Sequence, residues 1–382
     1  MAKRTSDNRT WVETSKAALH ANVATFRSRI GKEVKFCAVI KSNAYGHGLV
    51  ETAKALGTTV DWLAVDNLGE ALTLKNAHIK RPILILGWTP DWQMTEAIRN
   101  SFRLTVSTPD QVRAAKVAAA KAKKKAFLHL KIDTGTTRQG AGIKQIPDIV
   151  NLVQSTKNIV VEGLSTHYAN IEDTTDHGYA TGQLEKFWQA EAYVNAQGLQ
   201  PSIKHTACSA AALLFPETHF NMVRVGIGMY GLWPSRETYA SAGERGLDIE
   251  LFPALAWRTR IAMIREVKRG TPISYGLTEK MKSDGRVAVL PIGYWDGYDR
   301  GLSSVGEVLI HGQRAKVIGR VCMNMTMIDV TNIPEAKAED VVTLLGEDGN
   351  DAISAEELGA RIHTINYEVV TRINPQLPRI IV

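Results

Sequence analysis

Eight short β-rich runs, separated by stretches of helical composition, constrain this chain more than any other feature. They are FCAVIK (36–41), WLAV (62–65), PILILG (82–87), FRLTV (102–106), FLHLKID (127–133), IVVEGLSTH (159–167), IKHTAC (203–208) and MVRVGIGM (222–229). Between them lie segments such as TPDQVRAAKVAAAKAKK, opened by a Thr-Pro helix start, and GQLEKFWQAEAYVNAQG, closed by Gly198. Strand and helix alternating eight times over about 230 residues predict an α/β chain with a (β/α)8 TIM-like barrel.

The pattern changes near YASAGERGLD (239–248), a polar, glycine-containing stretch that reads as a linker. Beyond it, ALAWRTRIAMIREV, GRVAVLPIGY, GEVLIHG, RAKVIGRVCM, MTMIDV and DVVTLLG are strand-like and punctuated by glycine, and a helix SAEELGARI and an apolar run PRIIV close the chain. The expected division is a barrel domain over 1–245 and a mainly-β C-terminal domain over 246–382. Roughly the first 12 residues are expected to pack on the second domain.

Composition narrows the function classes. A 382-residue chain with 44% hydrophobic residues builds an ordinary core. No apolar stretch of leader type follows MAKRTSDNRTWVE, and no run approaches the roughly 18 apolar residues of a membrane span, so a cytoplasmic protein with no membrane partner is expected. The net charge is +7, yet the dense basic run KAKKK (121–125) follows an Ala-rich helix and reads as its solvated end, so no nucleic acid is expected. Cys37, Cys208 and Cys322 lack both C-x-x-C and zinc-type spacing; they read as reduced thiols, and no metal is expected.

In such a barrel, chemistry sits at the C-terminal ends of the strands. Lys41 ends the first run, His167 the sixth, Ser209 follows the seventh, and Arg224 and Gly226 lie toward the end of the eighth. Alternation in FLHLKID places His129, Lys131 and Asp133 on one face, toward the barrel interior if the leucines meet the outer helices. Several cations then converge with few acids, which calls for a bound anion or a modified lysine. RVGIGMYG offers glycine-rich backbone N–H groups and CSAA a serine at a helix start, both suited to phosphate. Gly226, Gly228 and Gly231 also satisfy G-x-G-x-x-G, but the match is late in the chain and Pro234 falls where the dinucleotide helix should run. A lysine at a barrel mouth beside a phosphate site suggests a Schiff base to pyridoxal phosphate, which supplies an electron sink that side chains lack. Exit of the Lys41 ammonium to solvent along its methylene stem satisfies the same local pattern.

AVIKSNAYGHG resembles the cofactor-lysine signature of the alanine racemases. The likeness continues in order through HLKIDTGTTRQG, EGLSTHYAN, MVRVGIGMYGL, ISYGLT, PIGYWDGYDR, GRVCM and INYEV. The resemblance implies a (β/α)8 barrel followed by a β-domain, pyridoxal 5'-phosphate on Lys41, and a homodimer with active sites shared between subunits. It makes Lys41 one acid/base group and Tyr275, from the other subunit, the opposing one; inversion at Cα needs a proton removed from one face and delivered to the other. A tyrosine hydroxyl is a weak base at neutral pH, so its surroundings must be cationic or otherwise tuned.

Arg224 resembles the arginine that faces the cofactor's ring nitrogen, where a donor-only partner limits electron withdrawal, and His167 resembles the residue holding it. The resemblance assigns the cofactor phosphate to Tyr45, Ser209, Tyr367 and the backbone of Gly226 and Ile227. Arg138 is similar to the arginine near the substrate carboxylate, and Lys131 to a lysine that carries a carbamate in many relatives. Met323 corresponds to a residue whose backbone N–H binds the substrate carboxylate, and Tyr294 to a tyrosine of the substrate entryway. Two positions depart from the pattern: Asn324 stands where the family usually has Asp, and Cys208 where it usually has Asn. The implied activity is interconversion of L- and D-alanine, supplying D-alanine for peptidoglycan. A broader or serine-preferring racemase, motivated by Asn324 and Cys208, and a pyridoxal-phosphate-binding protein without turnover are the alternatives, the second opposed by retention of Tyr275.

Overall fold

The computed structural model describes residues 8–382. The part of the expected N-terminal packing that falls on residues 1–7 lies outside the described residues. The chain forms two compact units, one from residues 18–42 and 56–252, the other from 8–17, 43–55 and 253–382.

In the first unit the strands are β1 (Lys35–Val39), β2 (Trp62–Val65), β3 (Ile83–Ile85), β4 (Arg103–Val106), β5 (Ala126–Lys131), β6 (Ile159–Ser165), β7 (Ile203–His205) and β8 (Met222–Val225). All paired neighbours are parallel, in the order β7-β6-β5-β4-β3-β2-β1-β8. Between β8 and the end of β7 the ring is joined by the Arg224 N–H donating to the Ala207 carbonyl at 3.0 Å. This is a nearly closed eight-stranded barrel. Its strands read as continuous apolar runs because both faces are covered, and Phe36, Ala38, Leu63, Leu84, Leu104, Leu128, Leu130, Leu164 and Val223 are buried.

The register is regular except between β5 and β6. Leu128 pairs with Val161 but His129 pairs with Gly163, which leaves Glu162 as an extra, bulged residue. The helix Pro109–Ala122 shows how sequence sets the outer layer. Thr108 accepts from the Gln111 N–H, proline opens the first turn, and Val112, Ala115, Ala118 and Ala119 face inward. It ends at Lys123 in the left-handed region, so the basic run is the exposed helix end.

The second unit carries a ten-stranded sheet. Its order is Met263–Val267, Gly285–Leu290, Thr326–Asp329, Gln313–Val317, Glu307–Ile310, Val341–Asp348, Leu255–Arg260, Thr10–Thr14 and Arg379–Ile381, with Asp351–Ile353 paired to Val341–Asp348. The stretch 239–248, expected to be a linker, is in fact partly helical: Arg236–Glu244 is a helix because Ser235 caps it, accepting from the Thr238 N–H. No helix among the described residues is long and apolar enough to cross a membrane.

Candidate active site

The first strand stops at Val39, two residues before Lys41, where the sequence suggested continuation to the lysine. Lys41–Tyr45 is one helical turn, and Ser42, Asn43, Ala44 and Tyr45 all have φ between +52° and +55°. The turn is therefore left-handed, which L-residues resist by about 1–2 kcal/mol each. A clasp in the following residues holds it. Gly48 N–H donates to the Asn43 carbonyl (2.9 Å), His47 N–H to the Ala44 carbonyl (3.0 Å) and Leu49 N–H to Asn43 Oδ1 (2.9 Å). The wholly buried His47 ring donates from Nδ1 toward the carbonyls of Ala44 (3.1 Å) and Tyr45 (3.0 Å). Burial pushes this imidazole down to about 4, so it stays neutral. Gly46, at φ +85°, cannot be replaced easily: a Cβ would lie 2.0 Å from the Val370 carbonyl oxygen.

At the barrel's C-terminal end, positive groups gather. The Lys131 amine is lowered to about 8 by burial first, then by Arg224, Arg138 and Lys41. Burial and the same cations, with Lys131 among them, hold His167 well below the usual imidazole range, so it is neutral. Asp133 opposes them least of the groups acting on Lys131, and its Oδ1 accepts the backbone N–H groups of Gly135 (2.9 Å), Thr136 (3.1 Å) and Thr137 (3.2 Å). That turn leads directly to Arg138.

Arg224 is fixed by carbonyls and imidazoles. Nη2 donates to Thr166 O (2.8 Å) and Thr206 O (3.0 Å), and Nη1 donates to His205 O (2.6 Å) and lies 2.7 Å from His205 Nδ1. His167 Nδ1 is more distant, 3.4 Å from Nη2. His205, which the sequence reading did not single out, is thus the closer of the two rings. Period-2 alternation through IKHTAC was the available signal, since it sets Lys204 and His205 on opposite faces.

Ser209 opens the short helix Ser209–Leu214. Its Oγ accepts from the N–H groups of Gly226 (3.0 Å) and Gly228 (3.3 Å), at the start of the turn Ile227–Tyr230. A serine hydroxyl and a cluster of glycine N–H groups therefore meet at one point, a donor set suited to phosphate. Nearby, Tyr230 Oη donates to the Val39 carbonyl (3.1 Å) and ties this turn to the strand that leads to Lys41.

In the second unit, Tyr275 and Tyr294 line one basin of about 530 Å³ with Arg320, Cys322, Met323 and Asn324. Tyr275 sits on a contorted turn in which Ser274, Gly276 and Leu277 have φ of +64°, +75° and +51°. Ser274 Oγ anchors the turn by donating to the Arg320 carbonyl (2.7 Å), and Tyr275 is left 73% exposed. Tyr294 and Trp295 N–H donate to the carbonyls of Cys322 and Met323, both at 3.0 Å. Gly293 permits that approach, since a Cβ there would meet Cys322 O at 2.1 Å. Tyr45 and Tyr367 lie in this unit too, ring centroids 6.2 Å apart.

Residues 14–234 match the family model for the alanine racemase N-terminal domain, and residues 254–381 the alanine racemase C-terminal domain. The chain belongs to the alanine racemase family. Among curated relatives, an alanine racemase from Leptospira interrogans is 39% identical over 376 residues, covering 97% of this chain and 95% of that protein. Among solved structures, an alanine racemase from Bacillus anthracis with bound L-Ala-P superposes with a TM-score of 0.91 at 36% identity, covering 98% and 95% of the two chains. A histidine racemase from Leuconostoc mesenteroides superposes with a TM-score of 0.89 at 27% identity, covering 98% of each. Like its relatives, the chain is a racemase, an isomerase built on a barrel and a mainly-β domain.

Alanine racemases generally depend on pyridoxal phosphate, and the residues present fit that group. A set of cations that includes Lys41, Lys131, Arg138 and Arg224, together with the Ser209–Gly226–Gly228 donor cluster, suits an anionic aldehyde cofactor.

Proposed function

We propose that this chain interconverts L- and D-alanine by two-base proton transfer on a substrate bound to pyridoxal phosphate, acting as a homodimer. The observation that carries the reading is the cluster of Ser209 Oγ with the Gly226 and Gly228 N–H groups (3.0 and 3.3 Å), in a barrel where Lys131, Arg138, Arg224 and Lys41 act on one another as cations, a set suited to a phosphate and a carboxylate. Pyridoxal phosphate would be held by Lys41 through Nζ, by Ser209 and the backbone of Gly226 and Ile227 at its phosphate, and by Arg224 at its ring nitrogen. Tyr45 and Tyr367 are assigned to the phosphate by resemblance. Bound pyridoxal phosphate supplies the electron sink for the pair left at Cα when its proton departs.

Lys41 Nζ takes or returns the proton on one face of Cα, and Tyr275 Oη of a partner copy does so on the other. The exposed Tyr275, with Leu277, Trp295, Met323 and Met325 also exposed, forms an apolar surface of the kind a second copy covers. Arg138 and the Met323 N–H orient the substrate carboxylate, Tyr294 lines its approach, and a carbamate on Lys131 turns a cation into the anion that fixes Arg138. His167 keeps its place beside Arg224. The proposed setting is the cytoplasm and the product's use is peptidoglycan. A wider substrate range is the second reading, favoured by Asn324 and Cys208.

Tyr275→Phe tests the mechanism. The variant should retain pyridoxal phosphate and lose racemisation of L-alanine in deuterated water, read by Cα deuterium and chiral analysis. Near-normal racemisation in both directions refutes the two-base assignment. L-Serine run in parallel decides substrate breadth, and cofactor binding by the wild type with no Cα exchange would leave a binding protein.

A further inference from the structure

Tyr275 stands at the tip of a short hairpin whose two ends are fastened to adjacent residues of one passing segment. Pro272–Ile273 pairs antiparallel with Glu279–Lys280, Ile273 opposite Glu279, and the contorted turn that carries Tyr275 joins them. On the entering side, Ser274 Oγ donates to the Arg320 carbonyl at 2.7 Å. On the leaving side, Glu279 Oε2 accepts the Gly319 N–H at 2.7 Å and a second bond from Ser304 Oγ, while Lys316 Nζ donates to Oε1 at 3.3 Å.

With its ring mostly exposed, Tyr275 gains little direction from packing, so the backbone of the turn aims it. That backbone is costly. Ser274 and Leu277 have φ of +64° and +51°, which L-residues resist and which persists only where the surroundings hold it. Gly319 lets the passing segment come close enough to do so: a Cβ there would lie 2.7 Å from the Ile273 carbonyl oxygen and 2.8 Å from Ser274 Cβ.

Of the two fastenings, Glu279 is the charged one, and its side chain is mostly buried. Burial by itself would raise the carboxyl, but the Gly319 N–H, Ser304 and Lys316 together hold it below the usual range, so it is ionised at neutral pH. Lys316 is nearly half exposed, and a pair of that kind adds little. The two bonds to Oε2 are what tie residue 279 to Gly319 and to the Ser304 turn.

We propose that Glu279 is a positioning residue for Tyr275, its Oε2 holding the far end of the hairpin on Gly319 so that the phenol is presented in one direction. The consequence for catalysis rests on the reading of Tyr275 as one of two proton-transfer groups. Without the anchor the turn is free at one end, and proton transfer falters on the Tyr275 face of Cα alone. Lys41, on the other face, keeps exchanging the hydrogen it reaches. The signature is a raised ratio of exchange with retention to inversion, a quantity independent of how much protein is folded.

The test is α-hydrogen exchange of cofactor-loaded protein in deuterated water, started from each alanine enantiomer, with deuterium in the recovered enantiomer and in the product read separately. E279A has no carboxylate and E279D one that is a methylene short of the Gly319 N–H; both should lose inversion at least about tenfold, while one enantiomer still exchanges with retention within about threefold of wild type. E279Q offers an amide oxygen to the same two donors and should stay within about threefold of wild type in both measures. Added to Tyr275→Phe, E279A should alter the residual exchange by less than about twofold, since both changes act through the phenol. An unchanged ratio in E279D, equal loss of inversion and exchange in E279A and E279D, E279Q behaving like E279A, or a further fall in the double variant overturns the assignment. If E279A does not fold, the ratio in E279D against E279Q decides. Tyr275→Phe alone separates the two readings: near-normal inversion there defeats the two-base reading, whereas a raised ratio there with none in E279D defeats only the role of Glu279.

Discussion

Replacing Lys131 with Met should stabilise the cofactor-free protein. The amine has an ordinary value of 10.5 and is lowered to about 8 by burial, Arg224, Arg138 and Lys41. Keeping the ammonium charged in that setting costs the fold roughly 3 kcal/mol at pH 7. A long hydrogen bond to Gln139 Oε1, at 3.4 Å, returns little. Because the folded value lies below the unfolded one, the unfolded chain holds more protons between about pH 8 and 10.5, and stability rises with pH across that window. The burden is fully present below pH 8.

Methionine keeps most of the stem and removes the charge. Lys131→Met should therefore raise the unfolding free energy by roughly 3 kcal/mol at pH 7 and by under about 1 kcal/mol at pH 10. Urea unfolding of both proteins in carbon-dioxide-free buffer at the two pH values measures this. A variant no more stable than wild type at pH 7, or an advantage that does not shrink by pH 10, would refute the reasoning. Bicarbonate should narrow the gap by stabilising the wild type alone, since a carbamate ends the repulsion.

Gly163→Ala places a methyl 2.2 Å from His129 Nδ1 and should destabilise the chain by about 1–3 kcal/mol, measured by urea midpoint. Asp133→Ala releases three backbone N–H groups; stability should fall by about 1–2 kcal/mol, and the KM for alanine should rise because the turn leads to Arg138. Gly46→Ala should fail to accumulate as folded protein, since its methyl would overlap the Val370 carbonyl; a soluble variant with wild-type circular dichroism would contradict the packing described.

The barrel was legible because each strand is an apolar run covered on both faces and each crossover carries its own helix signals, as in Thr108-Pro109. Strand ends were less so. Lys41 seemed to close a strand, but the chain turns left-handed at Ser42, a conformation that no propensity favours and that depends on His47 and Asn43 farther along. Lys41, the glycine-rich turn and Arg224 stood out as residues at odds with their surroundings. His205 did not, because its meeting with Arg224 depends on where two separate strands place their side chains. The linker reading of 239–248 failed for a local reason: one serine cap outweighed a glycine-bearing, polar composition.

The turn at Ser42–Tyr45 holds four L-residues in the backbone basin natural to their mirror images. An enzyme whose substrate changes hand at Cα thus carries, one residue past its lysine, a segment that a synthetic chain could build from D-amino acids. D-Alanine at position 44 would rest in its own preferred basin while leaving every clasping hydrogen bond in place, so chemical synthesis offers a way to relax this turn that no genetic substitution other than glycine can match.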